Sequence, residues 1–224
     1  MPAGPLDLHG WKKHMNEFPD RSVTSDILGI CRYGARIGYD GRRNSINIYP
    51  NLSTAQDDEE IVTEEIASEL ADNRLKHFTN LSCLPTYYRT SPLSLVDKSD
   101  GTKRRIHHLS SPPEEGSSIS SGIPEHYGTL TYSNISEAVS GIQHFGKNSL
   151  VIKRDFEKAF RYISISPLDT PLLGFHWKNR YYAEQFLPFG LRTAPYIFNL
   201  FAEAFHWILK GLLERNSLPA VIVH

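Results

Sequence analysis

The sequence predicts an α+β fold in which an antiparallel sheet packs on helices. Three observations carry this. Ile197, Phe198, Phe201, Phe205, Ile208, Leu209 and Leu212 recur at spacings of three and four, the period of one helical face. Four short runs, 149–154, 161–166, 171–177 and 181–186, have strand composition, and Lys178-Asn179-Arg180 reads as the turn of a hairpin between the last two. Strands and helices alternate around that antiparallel hairpin instead of repeating a strand–helix–strand unit, which favours α+β over a parallel sheet.

Each element follows from its residues. Residues 1–56 scatter Pro, Gly and Asn and read as loop-rich, with Trp11 and Phe18 as packing anchors and Gly38-Tyr39-Asp40-Gly41 as a turn. Asp57-Asp58-Glu59-Glu60 opens a helix through about Arg74 (57–74), because acids in a first turn suit the helix dipole. Val62, Ile66 and Leu70 give that helix one apolar face at spacing four, so the acidic run is a solvated helix start rather than a metal site. Residues 92–110 predict a hairpin: Leu93, Leu95 and Val96 lead into Lys98-Ser99-Asp100-Gly101-Thr102-Lys103, and Arg105-Ile106-His107-His108-Leu109 leads out. His107 and His108 fall on opposite strand faces, so they share no metal and read as structural. Ser110 to Gly122 is a surface loop, and Ile135 to Phe145 a short helix. Thr193 is the expected N-cap of a helix through about Arg215, and Pro219 precedes a last apolar strand start.

The chain has 224 residues, 40% hydrophobic and 22% charged, which is the composition of a globular protein. No run is apolar for the ~18 residues a membrane span needs. Cys31 and Cys83 form no CxxC pair, which argues against zinc or a disulfide framework and for an intracellular, reducing setting, nucleus or cytoplasm undecided. Net charge is −1 overall. Residues 1–90 hold 10 Lys/Arg and 13 Asp/Glu, whereas 91–224 hold 14 and 12, so cations concentrate in the second part. They cluster at Lys98, Lys103, Arg104 and Arg105, and at Lys153, Arg154, Lys158 and Arg161. Such clusters hold phosphates or are simply solvated strand ends.

Asp155 ends the apolar run Leu150-Val151-Ile152, which places a carboxylate at a sheet edge. Alone, an Asp there is a turn former or helix cap as readily as a metal ligand. Its context is Asp155-Phe156-Glu157-Lys158-Ala159-Phe160 and, further on, Leu187-Pro188-Phe189-Gly190-Leu191-Arg192-Thr193-Ala194-Pro195. The first resembles the reverse transcriptase motif Asp-x-x-x-Ala-Phe/Tyr, and the second resembles that family's Leu-Pro-x-Gly-x-x-x-Ser/Ala-Pro segment. The 92–110 hairpin, Tyr132-Ser133-Asn134-Ile135 and Leu172-Leu173-Gly174-Phe175 extend the resemblance over roughly 85–224. It is most similar to DIRS-like and fungal retroelements.

The resemblance implies a partial right-hand polymerase fold: an N-terminal extension (1–84), fingers (85–148) and a partial palm (149–224). It implies RNA-directed DNA polymerase activity by two-metal nucleotidyl transfer, with Mg2+ or Mn2+ ~4 Å apart, an RNA or DNA template-primer and dNTPs. Asp155 becomes a metal ligand. Phe160 becomes the gate against a ribose 2′-OH, against a plainer reading as core packing. Phe156, Lys158 and Ala159 face the triphosphate, and Phe189 and Gly190 shape the nucleotide pocket. Lys98 and Arg105 clamp phosphates, Arg by its fixed fork. Lys103, Arg104 and Arg192 contact nucleic acid. The family's Tyr-x-Asp-Asp turn is expected just beyond Ser217-Leu218-Pro219-Ala220-Val221-Ile222-Val223-His224, which carries no carboxylate. The expectation is therefore a truncated chain that does not polymerise as given, since one Asp cannot hold two divalent ions. The alternative is a non-catalytic nucleic-acid-binding remnant.

Overall fold

A computed structural model describes residues 6–112, 118–130, 135–148, 150–153 and 155–218. The chain runs α1 (Leu8–His14), α2 (Arg21–Tyr33), β1 (Ile46–Asn47), α3 (Thr54–Asp57), α4 (Glu59–Ala71), β2 (Leu75–Phe78), β3 (Tyr88–Arg89), β4 (Leu93–Asp97), β5 (Lys103–His107), α5 (Ile135–Phe145), β6 (Gly174–Trp177), β7 (Arg180–Glu184) and α6 (Ala194–Arg215). Helices are mixed with two small antiparallel sheets and one short parallel pair, β1 with β3, among the described residues, as an α+β reading expects. Among the described residues no helix is long and apolar enough to cross a membrane.

The N-terminal 56 residues are more helical than their composition suggests. Asp7 accepts from the backbone N–H of His9 and Gly10, and Asp20 from Ser22 and Val23, so two side-chain caps satisfy the orphan donors of α1 and α2. Trp11 and Phe18 are anchors: their rings meet Phe201 and Trp207 of α6 edge-on at 5.2 and 5.3 Å. The acidic helix is broken at Asp58, whose φ of −143° leaves the helical region, and Asp58 pairs with Lys103 at 2.5 Å. Beyond it α4 buries Val62 and Ile66 as expected, and also buries Glu69.

The hairpin β4–β5 pairs Leu93 with His107 through Asp97 with Lys103. Gly101 at φ +81° supplies the left-handed residue that its turn requires. Strands β2, β7 and β6 form an antiparallel sheet in that order. Its β6–β7 turn places Lys178 and Asn179 at positive φ, the conformation of a two-residue hairpin loop that follows strand twist. Tyr88 stands behind this sheet and donates its hydroxyl to the carbonyls of Phe175 and Tyr182.

Two cores result. One, under α4, contains Val62, Ile66, Leu93, Leu95, Phe175, Trp177 and Tyr182. The larger joins the N-terminal helices to α6 through Met15, Ile27, Ile37, Ile163, Leu187, Leu191, Ile197 and Phe201.

Several expected elements differ. Residues 150–153 form no strand, and Leu150, Val151 and Ile152 are 84%, 66% and 70% exposed. A strand needs a hydrogen-bonded neighbour, and none of the described residues pairs with this run. The 161–166 run is instead a 3₁₀ turn (Ala159–Tyr162) followed by single bridges at Ser164 and Ile165. Thr193 holds the N-cap position of α6 as expected, but its side chain caps no backbone N–H: its hydroxyl donates to the Ile37 carbonyl at 3.1 Å, tying the helix start to the N-terminal layer. The last expected strand, at Pro219–His224, and Arg154 and Tyr132–Asn134 lie outside the described residues.

Candidate nucleotide and nucleic-acid site

The two motif segments meet through their aromatic side chains. Phe160, in the 3₁₀ turn, lies 5.2 Å from Phe189 and 5.8 Å from Phe198 of α6. Phe156 meets Phe198 at 6.3 Å and Phe205 at 5.8 Å. Edge and tilted packing of this kind suits the quadrupoles of neighbouring rings. The cluster is not a closed core, because Phe156 and Phe189 are 53% and 57% exposed. Asp155 is exposed beside it, and Ala159 is half-buried in the turn below.

Gly190 closes the second segment at φ +86°, where a side chain is strained, and a Cβ there would lie 3.4 Å from the His107 carbonyl oxygen. The turn thus abuts the end of β5. Lys158 also adopts a left-handed backbone (φ +52°), uncommon for a residue with a Cβ. This turns its ammonium toward α4, 3.5 Å from Glu69.

The expected cationic residues divide by strand face. Lys98 and Arg104 are exposed on the hairpin. Lys103 is held by Asp58, and Arg192 donates to the Ile123 carbonyl at 2.9 Å. Arg105 faces inward, its side chain 7% exposed, with its guanidinium 4.9 Å over the Phe175 ring and beside Glu65 and Glu184. It is therefore not on the hairpin's outer face with Lys98, because β-strand alternation sends residue 105 to the covered side.

Beneath this surface lies an ionic network that the sequence did not announce. Arg161, almost buried, donates to Glu184 at 2.6 Å and to Glu69 at 2.8 Å. Arg74 reaches Glu69 at 3.2 Å and Asp72 at 2.9 Å. Burial pushes the Glu184 carboxyl up, but Arg161 and Arg105 outweigh it and hold the group below the ordinary carboxylate range. His107 lies on the other side of Glu184. Burial lowers its pKa to about 4, more than the carboxylate raises it, so the ring is neutral. Its Nε2 donates to the Gly174 carbonyl at 3.0 Å, which leaves Nδ1 bare, 3.8 Å from Glu184. The His107–Glu184 approach is therefore a contact between a neutral ring and a carboxylate, not an ion pair. His108, on the opposite face as expected, bonds Ser94 at 2.6 Å. A cavity of about 530 Å³ opens above the network, with Lys158, Arg161 and Tyr162 on one wall and Asp72 and Arg74 on the other. The signal available in the sequence was one charge set inside each of two apolar runs, Phe160-Arg161-Tyr162-Ile163 and Tyr182-Ala183-Glu184.

Chemically, the surface offers flat apolar rings, a close-approach glycine turn and exposed cations on the hairpin. It does not offer a metal cage. Among the described residues no three His, Cys, Asp or Glu side chains gather to hold a metal ion. Asp155 alone does not fit a pair of divalent ions, which need several oxygen ligands each.

No family model matches the chain, and no curated protein does. Among solved structures, the selenomethionine-labelled CSH mutant of prototype foamy virus protease-reverse transcriptase is 16% identical with a TM-score of 0.49, covering 98% of this chain and 28% of that one. The foamy viral protease-reverse transcriptase in complex with an RNA/DNA hybrid is 15% identical at 0.49, with the same coverages. Its dRH form in complex with double-stranded DNA is 15% identical at 0.49, covering 97% and 37%. The chain spans between a quarter and two-fifths of these neighbours' length.

Proposed function

We propose that this chain carries the template-primer and nucleotide-binding surface of a retroelement reverse transcriptase, DIRS-like or fungal in type. One observation supports the reading above the others. The two segments that resemble reverse transcriptase motifs are separated by the 26 residues 161–186, yet Phe160 and Phe189 pack ring against ring at 5.2 Å. In this reading Phe160 lies under the sugar of an incoming dNTP, where a 2′-hydroxyl would clash. Phe189 and Gly190 form the wall of the pocket, and Phe156, Lys158 and Ala159 lie along the triphosphate. Lys98 and Arg104 draw phosphates to the hairpin, and Lys103 and Arg192 join them once their present partners, Asp58 and the Ile123 carbonyl, are released.

That no three His, Cys, Asp or Glu side chains gather among the described residues favours a second, narrower reading: binding without nucleotidyl transfer. Asp155 is a metal ligand only where further carboxylates join it. The test is a pair of measurements on the chain, anisotropy of a labelled RNA/DNA hybrid with and without dNTP, and primer extension with Mg2+ or Mn2+. Salt-sensitive hybrid binding, strengthened by dNTP and weakened by Phe189→Ala, is expected, with no extension. Extension lost in Asp155→Asn would overturn the narrower reading, and absence of hybrid binding at low salt would overturn both.

A further inference from the structure

A second groove lies on the far side of α6. It is a cavity of about 730 Å³ between the end of α1, with the turn after it, and the last turns of α6; Lys13, Lys210 and Arg215 line it with Trp207, and two carboxylates, Glu17 and Glu214, stand at it too. Trp207 follows Phe205 by two residues, so at about 100° per residue the two rings leave the helix on opposite sides. The groove is thus separate from the aromatic cluster around Phe160 and Phe189.

Three features describe what would fill it. Lys13, Lys210 and Arg215 are exposed, and none ion-pairs with a carboxylate among the described residues, in contrast to Lys103, Arg74 and Arg161. The half-buried Trp207, fixed from behind by Phe18 at 5.3 Å, adds an indole to a wall otherwise carrying charge. Gly211 interrupts a 22-residue helix, where glycine is unfavourable relative to alanine. The three atoms nearest an added Cβ all belong to the Arg215 guanidinium, the first at 3.4 Å. The low floor that Gly211 leaves suits a ligand's close approach.

We infer that this groove binds a strand of single-stranded nucleic acid, with Lys13, Lys210 and Arg215 on its phosphates and an unpaired base against Trp207. Cations that track a backbone beside an aromatic face are the combination such strands require. A duplex would hide its base faces from the indole, and an acidic peptide would leave the ring without a flat partner. The groove does not depend on the reading of the Asp155 surface.

The experiment uses a fluorescein-labelled single-stranded oligothymidylate and the whole chain across a salt series. The double variant K210Q/R215Q should weaken binding about tenfold at ~0.1 M salt and flatten the salt slope by about 1.4, at ~0.7 per lost phosphate contact. Gly211→Leu fills the groove and crowds the Arg215 guanidinium, so it should weaken binding while lowering the slope by no more than one contact, about 0.7. Circular dichroism melts establish that each variant is folded, and if the double variant does not fold, Gly211→Leu decides alone. Unaltered affinity in the folded groove variants overturns the inference, as does polyglutamate competing as well as unlabelled oligothymidylate.

Discussion

Arg161 and Glu184 meet at 2.6 Å inside the protein, with the carboxylate 1% exposed. A second nitrogen of the same guanidinium holds Glu69 at 2.8 Å, so one cation joins β7, α4 and the turn that bears Phe160. Removing it leaves the buried Glu184 with only the more distant Arg105, at 3.9 Å, while Glu69 keeps Arg74 at 3.2 Å. Arg161→Met is expected to destabilise the fold by about 3–5 kcal/mol, the cost of leaving a buried charge without its partner. Urea denaturation checks this, and Arg161→Lys should recover only part of the loss because it cannot span both carboxylates.

His107 gives the fold an acid sensitivity. Its pKa is about 4 in the folded chain against 6.5 for the free side chain, so between those values the unfolded state binds more protons. Stability contributed by the neutral ring is full above pH 6.5 and falls as pH drops toward 4, by on the order of 3 kcal/mol. Glu184 adds a further loss at still lower pH, as its depressed group protonates. A denaturation series from pH 7.5 to 4, at intervals of about half a unit, should show the slope, and His107→Gln should flatten its upper part.

Gly174 admits no side chain. A Cβ there would sit 2.5 Å from the Tyr88 ring and 2.6 Å from the Arg89 carbonyl oxygen. Gly174→Ala must push the Tyr88 ring off the two carbonyls that it caps, and should cost about 1–3 kcal/mol or more. Loss of near-ultraviolet dichroism with far-ultraviolet signal retained is the expected signature. An unchanged melting temperature would show that the sheet yields more easily than its packing implies.

Phe189 is more than half exposed, so its contribution to stability is small. Phe189→Ala should change unfolding free energy by no more than about 0.5–1 kcal/mol while weakening dNTP-dependent hybrid binding severalfold. The comparison separates a surface that recognises a base from one that merely supports the fold.

The parts legible in the sequence were those decided locally. The Asp-Gly turn fixed the β4–β5 hairpin, and the three-and-four spacing fixed α6 almost to the residue, because both depend on neighbours along the chain. Helix α1 carries few apolar residues, but α2 has Val23, Ile27 and Ile30 at spacings of four and three, and Asp7 and Asp20 were caps that could have marked both. The Leu150–Ile152 run had strand composition but no partner among the described residues, and strand formation is a property of pairs. The Phe156, Phe160, Phe189 and Gly190 grouping was legible through motif order. The position of Arg105 was not, since the side of the hairpin that α4 covers is set by tertiary packing. Nor was the meeting of Arg161, Glu184 and Glu69, whose partners lie 23 and 92 residues away.

Leu150, Val151 and Ile152 have a practical consequence. Like Phe156 and Phe205, they present aliphatic or aromatic carbon to water. Water bears that exposure at a cost that falls whenever two such side chains touch. In a concentrated solution the chain's own neighbours will compete with any added ligand for these side chains. Dilution, mild detergent or a polar substitution at Val151 will therefore govern how faithfully a titration reports the groove and the aromatic pocket.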